Sequence, residues 1–203
     1  MSEPNNIDGM NALQRALKRV GDVVGAMILL VLFFPFCLIL FIIYKLTGCG
    51  DVLYRQERIG LHGRPFQIYK FRTMITNAES DGVPMLEQQD DARLLKYGKF
   101  MRSHHIDEIP QLLNVLIGDM ALIGPRPDSA FYLEHYTPEE RVILRVRPGI
   151  TGWNQAVNRN SVGTKEKLKA DIYYVEHLSF GFDLKVIWLT IKTVLSHKDV
   201  YRV

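Results

Sequence analysis

Fold and chemistry are both decided by one segment, Arg102-Ser-His-His-Ile-Asp-Glu-Ile-Pro-Gln-Leu-Leu-Asn-Val-Leu-Ile-Gly-Asp-Met-Ala-Leu-Ile-Gly-Pro-Arg-Pro127. Its adjacent carboxylates, Asp107 and Glu108, come just before Pro110 and an apolar run. Proline is tolerated in the first turn of a helix but not in its interior. We therefore place Asp107 at or next to the start of a helix running to Leu116, where the free N–H groups favour an ionised acid or a phosphate. The alternative interpretation is an ordinary N-cap Asp followed by a first-turn Glu.

The residues that follow favour the chemical interpretation. Gly118 fits the position that ends a helix, and residues 119–123 are typical of a short buried strand. The next four residues, Gly124-Pro-Arg-Pro127, predict a sharp turn that offers Arg126 as a fixed guanidinium. A carboxylate pair, a helix start and a rigid arginine in one unit suit phosphate chemistry with a divalent ion.

The composition is that of a mildly basic globular chain. With 203 residues, 47% hydrophobic and 23% charged, the chain suits one domain with an appendage. Its net charge of +3 comes without a dense Lys/Arg stripe interleaved with aromatic residues, so we expect no nucleic-acid partner. Cys37 and Cys49 lack CxxC spacing, which excludes a disulfide framework and a zinc site and indicates a reducing compartment or indifference to redox state.

Apolar residues are concentrated near the N-terminus. Residues 1–22 predict a polar tail followed, from Met10, by a basic amphipathic helix at the membrane surface. The uncharged run 23–43 is long enough to cross a bilayer as a helix. It is too long for the apolar part of a signal peptide, and no small-x-small cleavage site follows it. We therefore expect a retained membrane segment over residues 23–46.

Two topologies fit this membrane segment. Pro35 lies near its middle, where it must kink a helix and free a backbone carbonyl. Basic residues flank both ends of the segment, namely Arg15, Lys18, Arg19, Lys45, Arg55 and Arg58. Since positive charge prefers the cytoplasmic side, this balance allows both ends to be cytoplasmic. Residue physics alone leaves a kinked spanning helix and a re-entrant helix–break–helix equally open.

A hairpin is predicted directly after the membrane segment. Residues 51–60 and 64–74 predict two strands, joined by a turn at 61–64. Lys70 and Arg72 lie two positions apart and so face the same side of the second strand. A solvated face is the alternative interpretation of these two cations. They become anion contacts only where a phosphate site lies beside them.

The remaining elements are predicted from local signals. Residues 77–91 are acidic and contain Gly and Pro, which is typical of a loop or lid, and 92–101 predict a helix that brings Arg102 close to the carboxylate pair. Residues 137–140 form a capping box with Pro at the first helical position, which predicts a helix to residue 146. Residues 182–196 have the spacing of an amphipathic helix.

A Gly-rich turn is predicted at Arg147-Pro-Gly-Ile-Thr-Gly152, whose backbone can approach a ligand closely. Polar side chains then cluster directly after it, at Asn154, Gln155, Asn158, Arg159 and Asn160. A plain loop is the alternative interpretation, because Gly, Pro and Asn are the usual loop residues.

Four of these stretches together resemble the bacterial sugar transferase family, the monotopic phosphoglycosyl transferases. They are Lys70-Phe-Arg-Thr-Met74, Asp107-Glu-Ile-Pro-Gln-Leu-Leu-Asn-Val-Leu116, Gly118-Asp-Met-Ala-Leu-Ile-Gly-Pro-Arg-Pro127 and Arg147-Pro-Gly-Ile-Thr-Gly152. The resemblance extends from the membrane segment to nearly the C-terminus. It implies an α-rich α/β fold with a small, mostly antiparallel strand set. It also implies a re-entrant hairpin at 23–46, broken near Pro35, and a cytosolic catalytic domain at 47–203 with amphipathic helices at the membrane interface.

The resemblance also implies an activity. Members of the family transfer a phosphosugar from a nucleotide diphosphate sugar, usually a UDP-sugar, to a polyprenol phosphate such as undecaprenyl phosphate, and UMP leaves. In this chain Asp107 would attack the β-phosphorus and form a covalent phosphosugar intermediate that the lipid phosphate displaces, while Glu108 would hold Mg²⁺.

The family's pathway and location follow from the same resemblance. The polyprenyl diphosphate sugar would begin a surface glycan, exopolysaccharide or glycoconjugate pathway that downstream glycosyltransferases continue. Because the nucleotide donor is cytosolic, the catalytic domain would lie on the cytosolic face of the inner membrane of a bacterium.

By motif position the resemblance implies further substrate contacts. The implied substrate-binding residues are Lys70, Arg72, Arg102, Arg126, Arg147, Arg159 and Asp183, with Arg159 facing the nucleotide. His104 and His105 are interpreted as surface or supporting residues, because an ionised carboxylate nucleophile needs no extra base. Phe34 precedes Pro35 where small members have Ser, which leaves the hairpin depth open. Trp153 follows Gly152 as a departure from the family pattern, either stacking on a base or packing at the lipid interface.

Two other functions fit parts of the sequence. One is a membrane-anchored scaffold that binds a nucleotide sugar or a partner glycosyltransferase without catalysis. The intact pair Asp107 and Glu108 argues against it, since a scaffold needs neither carboxylate. The other is a bitopic protein whose residues 47–203 lie outside the cytosol.

Overall fold

Helices dominate the part of the chain that the structure, a computed structural model, describes: residues 10–47, 50–75, 93–158 and 162–196. Its α-helices are α1 (Ala12–Thr47), α2 (Gly98–Ser103), α3 (Gln111–Ile117), α4 (Ala130–His135), α5 (Trp153–Val157), α6 (Thr164–Glu176) and α7 (Phe180–Ser196). Its strands are β1 (Leu53–Ile59), β2 (Pro65–Phe71), β3 (Ala121–Ile123) and β4 (Gly149–Thr151). Short 3-10 helices cover Leu61–Gly63, Ile106–Glu108 and Glu140–Arg145. The predicted α-rich α/β class is confirmed.

Helix α1 is one unbroken element of 36 residues, long and apolar enough to cross a membrane by length and composition. Pro35 lies inside it, so the predicted break near Pro35 and the separate surface helix ending at residue 22 are not present as distinct elements. A helix accommodates proline when bending relieves the clash with the preceding turn and only one N–H is lost. The re-entrant path of this segment stays a prediction.

One face of α1 packs against the rest of the molecule on both sides of Pro35. Ala26 is fully buried in a cluster with Ile68 of β2 and Leu112 of α3. Further along the helix, Leu40 packs in a second cluster with Phe71 at the end of β2. The membrane segment is therefore part of the core that carries the following domain.

The opposite face of α1 is apolar and exposed. Its exposed large hydrophobic side chains include Leu13, Leu17, Ile28, Val31, Leu32, Phe34, Ile39 and Leu46. Helix α7 exposes a second row, formed by Leu184, Trp188, Ile191 and Val194. Exposed apolar patches of this extent are typical of membrane or protein contacts.

The predicted hairpin is confirmed. Strands β1 and β2 pair antiparallel, with Leu53 opposite Phe71 and Ile59 opposite Pro65, and the 3-10 helix Leu61–Gly63 makes the connection. Lys70 lies on β2 and Arg72 directly follows this strand.

The second sheet corrects two predictions. Strands β3 and β4 pair in parallel, so the strand set is one antiparallel and one parallel pair among the described residues rather than mostly antiparallel. Residues 149–151, predicted as a turn, form β4. The reason is a close backbone approach, because a Cβ on Gly149 would lie 2.1 Å from the nitrogen of Gly124. Glycine at this position allows the two segments to meet.

Other element bounds shift from those predicted. The helix predicted over 92–101 is α2, which spans only Gly98–Ser103. The capping box forms, since Thr137 N–H donates to Glu140 Oε2 at 2.8 Å, but a 3-10 helix rather than an α-helix follows it. The C-terminal amphipathic helix is confirmed as α7.

Some predictions concern residues outside the described ranges. These are the polar tail at 1–9, Cys49, the loop at 77–91, Arg159 and Asn160.

Candidate active site

The carboxylate pair lies in the connection between α2 and α3. Asp107 and Glu108 occupy the 3-10 helix Ile106–Glu108, which His105 enters with a left-handed φ of 56°. Pro110 follows as the N-cap of α3, so this helix begins later than predicted and Asp107 lies three residues before its N-cap, in the preceding 3-10 helix. At the other end of α3, the predicted helix end at Gly118 is confirmed by its φ of 108° and by its N–H, which donates to Asn114 O at 3.1 Å.

A buried amide fixes α3 to β2 and thereby sets the distance between the two halves of the site. Asn114 Oδ1 accepts the N–H of Tyr69 at 3.0 Å, and its Nδ2 donates to Gln67 O at 2.7 Å. Asn114 is fully buried. Lys70 follows Tyr69 on the strand. The two hydrogen bonds of Asn114 therefore help to place the Lys70 side chain beside the Glu108 carboxylate. The sequence analysis did not single out Asn114.

Glu108 is held by two cations. Arg126 Nη2 donates to Glu108 Oε1 at 2.7 Å, and Lys70 Nζ donates to the same oxygen at 3.3 Å. Glu108 is 9% exposed. Burial raises the pKa of Glu108, but the charges of Arg126 and Lys70 outweigh burial and hold this pKa well below its usual range. Glu108 is therefore ionised at neutral pH.

The neighbouring Asp107 has the opposite electrostatic character. It is 8% exposed. Burial and the adjacent charge of Glu108 raise the pKa of Asp107 to about 6, against the smaller opposing effects of Lys70, Arg102 and Arg126. Asp107 is therefore still ionised at neutral pH but more basic than an ordinary carboxylate, as a nucleophile requires.

The pair opens onto a large cleft of about 1740 Å³. Its apolar lining comes mainly from α1 and α7 and includes Leu29, Phe33, Phe41, Ile187, Ile191 and Val194. Its lining also includes the predicted cations Lys70, Arg72, Arg102 and Arg126. A further part of the lining is polar and comes from α5 and α6. We call this part the polar end of the cleft; it consists of Asn154, Gln155, Thr164, Lys167 and Asp171.

Two of the predicted cations are oriented by neighbouring groups. Arg102 donates from Nε to Thr73 Oγ1 at 2.9 Å, and Arg72 donates from Nε to Asp51 O at 2.9 Å. These bonds use one nitrogen of each guanidinium. Both arginines line the cleft, as their prediction as substrate contacts requires.

Two predicted substrate contacts lie outside this cleft. Asp183 forms an ion pair with Lys18 of α1 at 2.6 Å and accepts the hydroxyl of Tyr174 at 2.7 Å. Arg147 donates from Nε to Gly118 O at 2.9 Å. The structure therefore gives Asp183 and Arg147 structural contacts and does not bring them to the carboxylate pair.

The histidines and Trp153 also have defined surroundings. His104 and His105 are exposed beside the cleft, in agreement with their interpretation as surface residues. Trp153 packs against Phe182 with ring centroids 4.9 Å apart, and the Lys185 ammonium lies 5.1 Å from its ring centroid. Trp153 does not line the cleft within the described part of the chain.

Asp171 is a site residue that the sequence analysis missed. It is buried on α6 yet lines the polar end of the cleft. Leu168, Asp171 and Val175 have the spacing of one helix face, so an acid among apolar residues at this spacing was the available signal. Because single acids on a helix are usually exposed to solvent, this spacing alone does not distinguish a buried site residue from a surface one.

The carboxylate pair fits one mode of Mg²⁺ binding. Mg²⁺ is usually held by one or two carboxylates together with water and substrate phosphates. Within the described residues no group of three or more His, Cys, Asp and Glu side chains could form a closed protein site for a metal ion. Glu108 Oε2 lies 3.5 Å from Arg126 Nη1, whereas Oε1 takes both shorter bonds. Glu108 Oε2 and the Asp107 carboxylate therefore fit a Mg²⁺ site in which water and substrate phosphates supply the remaining ligands.

All four sequence stretches that carry the resemblance meet in this region, and the sequence profile of the bacterial sugar transferases matches residues 13–197. The chain belongs to the bacterial sugar transferase family. This match includes α2 to α7 and all of α1 except its first residue, so the membrane segment and the carboxylate pair both lie within the family region.

Individual relatives agree with this assignment. The sugar transferase is 42% identical over 184 residues to an uncharacterized sugar transferase, EpsL, of Bacillus subtilis, covering 91% of this chain and 90% of that protein. It is 38% identical to a UDP-N-acetylgalactosamine-undecaprenyl-phosphate N-acetylgalactosaminephosphotransferase of Aeromonas hydrophila, covering 89% of this chain and 44% of that one. It is 37% identical to a UDP-glucose:undecaprenyl-phosphate glucose-1-phosphate transferase of Escherichia coli, covering 95% of this chain and 43% of that one. The chain thus spans less than half the length of the latter two relatives.

Proposed function

We propose that this sugar transferase moves a phosphosugar from a UDP-sugar to undecaprenyl phosphate, giving undecaprenyl diphosphate sugar and UMP. The observation that carries the proposal is the buried pair Asp107 and Glu108, with Lys70 and Arg126 bound to Glu108. The relatives from Aeromonas hydrophila and Escherichia coli are named for transfers of this type. Together they support an enzyme of the phosphoglycosyl transferase class.

Asp107 is the proposed nucleophile. One of its carboxylate oxygens attacks the β-phosphorus of the donor, and the bond from that phosphorus to the oxygen bridging to the α-phosphate breaks. UMP leaves with this bridging oxygen, and the phosphosugar stays on Asp107 as an acyl phosphate. An oxygen of undecaprenyl phosphate then attacks the same phosphorus, which releases Asp107 as a carboxylate. The electrostatics favour Asp107 over Glu108 because the pKa is raised at Asp107 and lowered at Glu108.

The cations around the pair have a separate role. The pKa of Asp107 is lowered by three nearby positive charges, those of Lys70, Arg102 and Arg126. They would offset the negative charge of the diphosphate as it approaches a carboxylate, and the charge that develops on departing UMP. Fixed donors in a partly buried cleft need little reorganisation during the reaction.

Mg²⁺ is the proposed cofactor, with Glu108 as its protein ligand and Asp107 beside it. When bound, the ion would neutralise donor phosphate charge and polarise the phosphoryl group. Lys70 and Arg126 hold Glu108 in one orientation from the side of Oε1. Omitting the ion and adding EDTA should abolish UMP release, and restoring Mg²⁺ should recover it. Undiminished UMP release in EDTA would contradict the cofactor assignment.

We further propose that α1 enters and leaves the inner membrane on the cytosolic side. The exposed apolar rows of α1 and α7 would lie in the bilayer, and the polar end of the cleft would face the cytosol. This arrangement would let the soluble donor and the lipid acceptor both reach Asp107 through the one cleft. The reaction would then be the first membrane step of a surface glycan, exopolysaccharide or glycoconjugate pathway, which other glycosyltransferases continue.

The covalent step is tested by intact-protein mass spectrometry. The protein in nanodiscs is mixed with Mg²⁺ and a panel of UDP-sugars, without acceptor. We expect a mass gain of one phosphosugar in the wild type and in Asp51→Asn, a matched control for an acid on the same cleft. We expect no gain in Asp107→Asn. An adduct that persists in Asp107→Asn would assign the nucleophile elsewhere, whereas transfer to undecaprenyl phosphate without any adduct would favour direct displacement.

A further inference from the structure

The polar end of the cleft contains buried polar atoms without partners. Asp171 Oδ1 and both side-chain polar atoms of Gln155 are buried with no hydrogen-bond partner in the described part of the chain. Asp171 is 6% exposed. Buried polar groups in folded proteins are nearly always paired, because leaving one unpaired costs free energy. Two unpaired groups that line the same cleft indicate a ligand that supplies their partners.

The chemistry of these groups selects the ligand. Burial and the nearby Asp128 raise the pKa of Asp171 to about 8, against the opposing charges of Lys167 and Arg126, so Asp171 carries a proton at neutral pH and can both donate and accept a hydrogen bond. The Gln155 amide also donates and accepts. A neutral group rich in hydroxyls satisfies both side chains.

The position of the polar end distinguishes the two hydroxyl-bearing parts of a UDP-sugar. The charges of Arg126 and of Lys167 on α6 both act on Asp171, and Arg126 also acts on Asp107. Because Arg126 is bound to Glu108, Asp171 lies near the side of the site where the β-phosphate would sit. The transferred sugar is bonded directly to the attacked β-phosphate, while the ribose is separated from it by the α-phosphate. The sugar is therefore the hydroxyl-bearing part of the donor that we expect next to Arg126 and at the polar end.

We propose that Asp171 and Gln155 bind hydroxyl or acetamido groups of the donor's sugar and thereby set which sugar is transferred. This inference rests on the proposed function, because it assumes a UDP-sugar with its β-phosphate at Asp107. Its support is the pair of unpaired buried side chains, their neutral donor and acceptor character, and their place next to Arg126.

The test compares binding of UDP with binding of UDP-glucose, UDP-galactose and their N-acetylhexosamine counterparts. Calorimetry is done on the full chain in nanodiscs with Mg²⁺ and without acceptor, in an Asp107→Asn background that prevents turnover. The variants are Asp171→Leu and Gln155→Met, which keep shape and remove polarity. The matched control is Glu176→Gln, an exposed acid on the same helix. Thermal midpoints check folding, and Gln155→Met keeps the test valid if Asp171→Leu does not fold.

We expect each variant to raise the Kd of the preferred UDP-sugar by ~10-fold or more, with the Kd of UDP unchanged, as for a site that has lost a hydrogen bond to a substrate hydroxyl. An equal rise for UDP would place the nucleotide at the polar end and overturn the inference. Unchanged binding of every UDP-sugar would also overturn it, with ordered water as the partner of these groups. Transfer is measured separately with Asp107 intact: discrimination among sugars in the binding test, but no transfer to undecaprenyl phosphate by the wild type, would contradict the proposed function and leave the sugar contacts standing.

Discussion

Two consecutive carboxylates in this chain differ because their neighbours differ. Lys70 and Arg126 reach Glu108 from positions 38 and 18 residues away, and they keep Glu108 ionised. Asp107 is buried beside that negative charge, so its pKa rises. The sequence shows two adjacent acids, but the division of their roles depends on contacts between distant segments.

Changing Arg126 tests how Glu108 is held. Arg126→Lys keeps a positive charge but replaces the planar guanidinium, whose Nη2 donates to Glu108 Oε1, with a single flexible ammonium group. We expect kcat for UMP release to fall roughly 10- to 100-fold, because the loss of one oriented donor to developing charge has effects of this order. The measurement is UMP release with undecaprenyl phosphate present. Arg64→Gln, at an exposed position, serves as control; equal effects of both variants would argue against a specific role of the Arg126 guanidinium.

Asp171 predicts a pH dependence of stability. Its pKa is raised from an ordinary value of 3.8 to about 8, so between these values the folded protein binds a proton that the unfolded chain has lost. The free energy of unfolding should therefore fall as pH rises from ~4 to ~8. Asp171→Asn removes this titration. We expect the thermal midpoint of the variant, relative to that of the wild type, to be higher at pH 8 than at pH 5, because only the wild type loses stability over this range. A difference independent of pH would mean that Asp171 is ionised in the fold.

At the level of elements, the short parallel pair β3 and β4 positions the arginine of the site. The strand β3 ends at Ile123, and the turn that follows carries Arg126 to Glu108. The backbone contact of Gly149 with Gly124 brings β4 beside this turn. Geometry in this part of the site therefore depends on two residues without side chains.

Gly149→Ala should disrupt this contact. Its Cβ would lie 2.1 Å from the Gly124 nitrogen, so the backbone segments must separate. We expect a loss of stability of about 1–3 kcal/mol, typical of overpacking, and reduced UMP release because Arg126 moves. Gly181→Ala is the matched control, since a Cβ there meets nothing within 4 Å. Thermal unfolding measures the loss of stability, and an assay of UMP release measures the loss of activity. A fully active Gly149→Ala variant would show that the contact between Gly149 and Gly124 does not position Arg126.

The ion pair between α1 and α7 makes a second prediction at this level. Lys18 and Asp183 are mostly buried, so removing either partner leaves the other unpaired. Lys18→Met and Asp183→Asn should both lower the thermal midpoint and leave the KM for UDP-sugar unchanged. A higher KM in Asp183→Asn alone would show that Asp183 contacts the donor, as its motif position implied.

Local signals predicted some elements well and failed on others. The hairpin of β1 and β2, the end of α3 at Gly118 and the helix α7 follow from patterns within short segments, and the structure has them. Strand β4 was missed because its partner is a distant parallel strand, and its glycines are equally typical of turns. Asp183 and Arg147 were predicted at the site by motif, but their contacts are with Lys18 and Gly118.

On the scale of the whole molecule, exposed apolar rows on α1 and α7 indicate how the protein meets a bilayer. The path of α1 is tested with single cysteines in a background with Cys37→Ser and Cys49→Ser. Asn11→Cys and Glu57→Cys place exposed thiols before and after α1. A re-entrant path predicts that a membrane-impermeant maleimide labels both in inverted vesicles and neither in spheroplasts. Opposite labelling of the two sites would establish a spanning helix.

The burial of Ala26 and Leu40 of α1 against β2 and α3 has a consequence for dissection of the protein. A truncation that starts at residue 47 would uncover Ile68, Leu112, Val115 and Met120, which α1 covers in the intact chain. Such a fragment should aggregate rather than behave as a soluble enzyme. The anchor is then not a tether that can be exchanged for a tag or another leader. Any water-soluble version would need a replacement helix with the same inward face and a polar outward one.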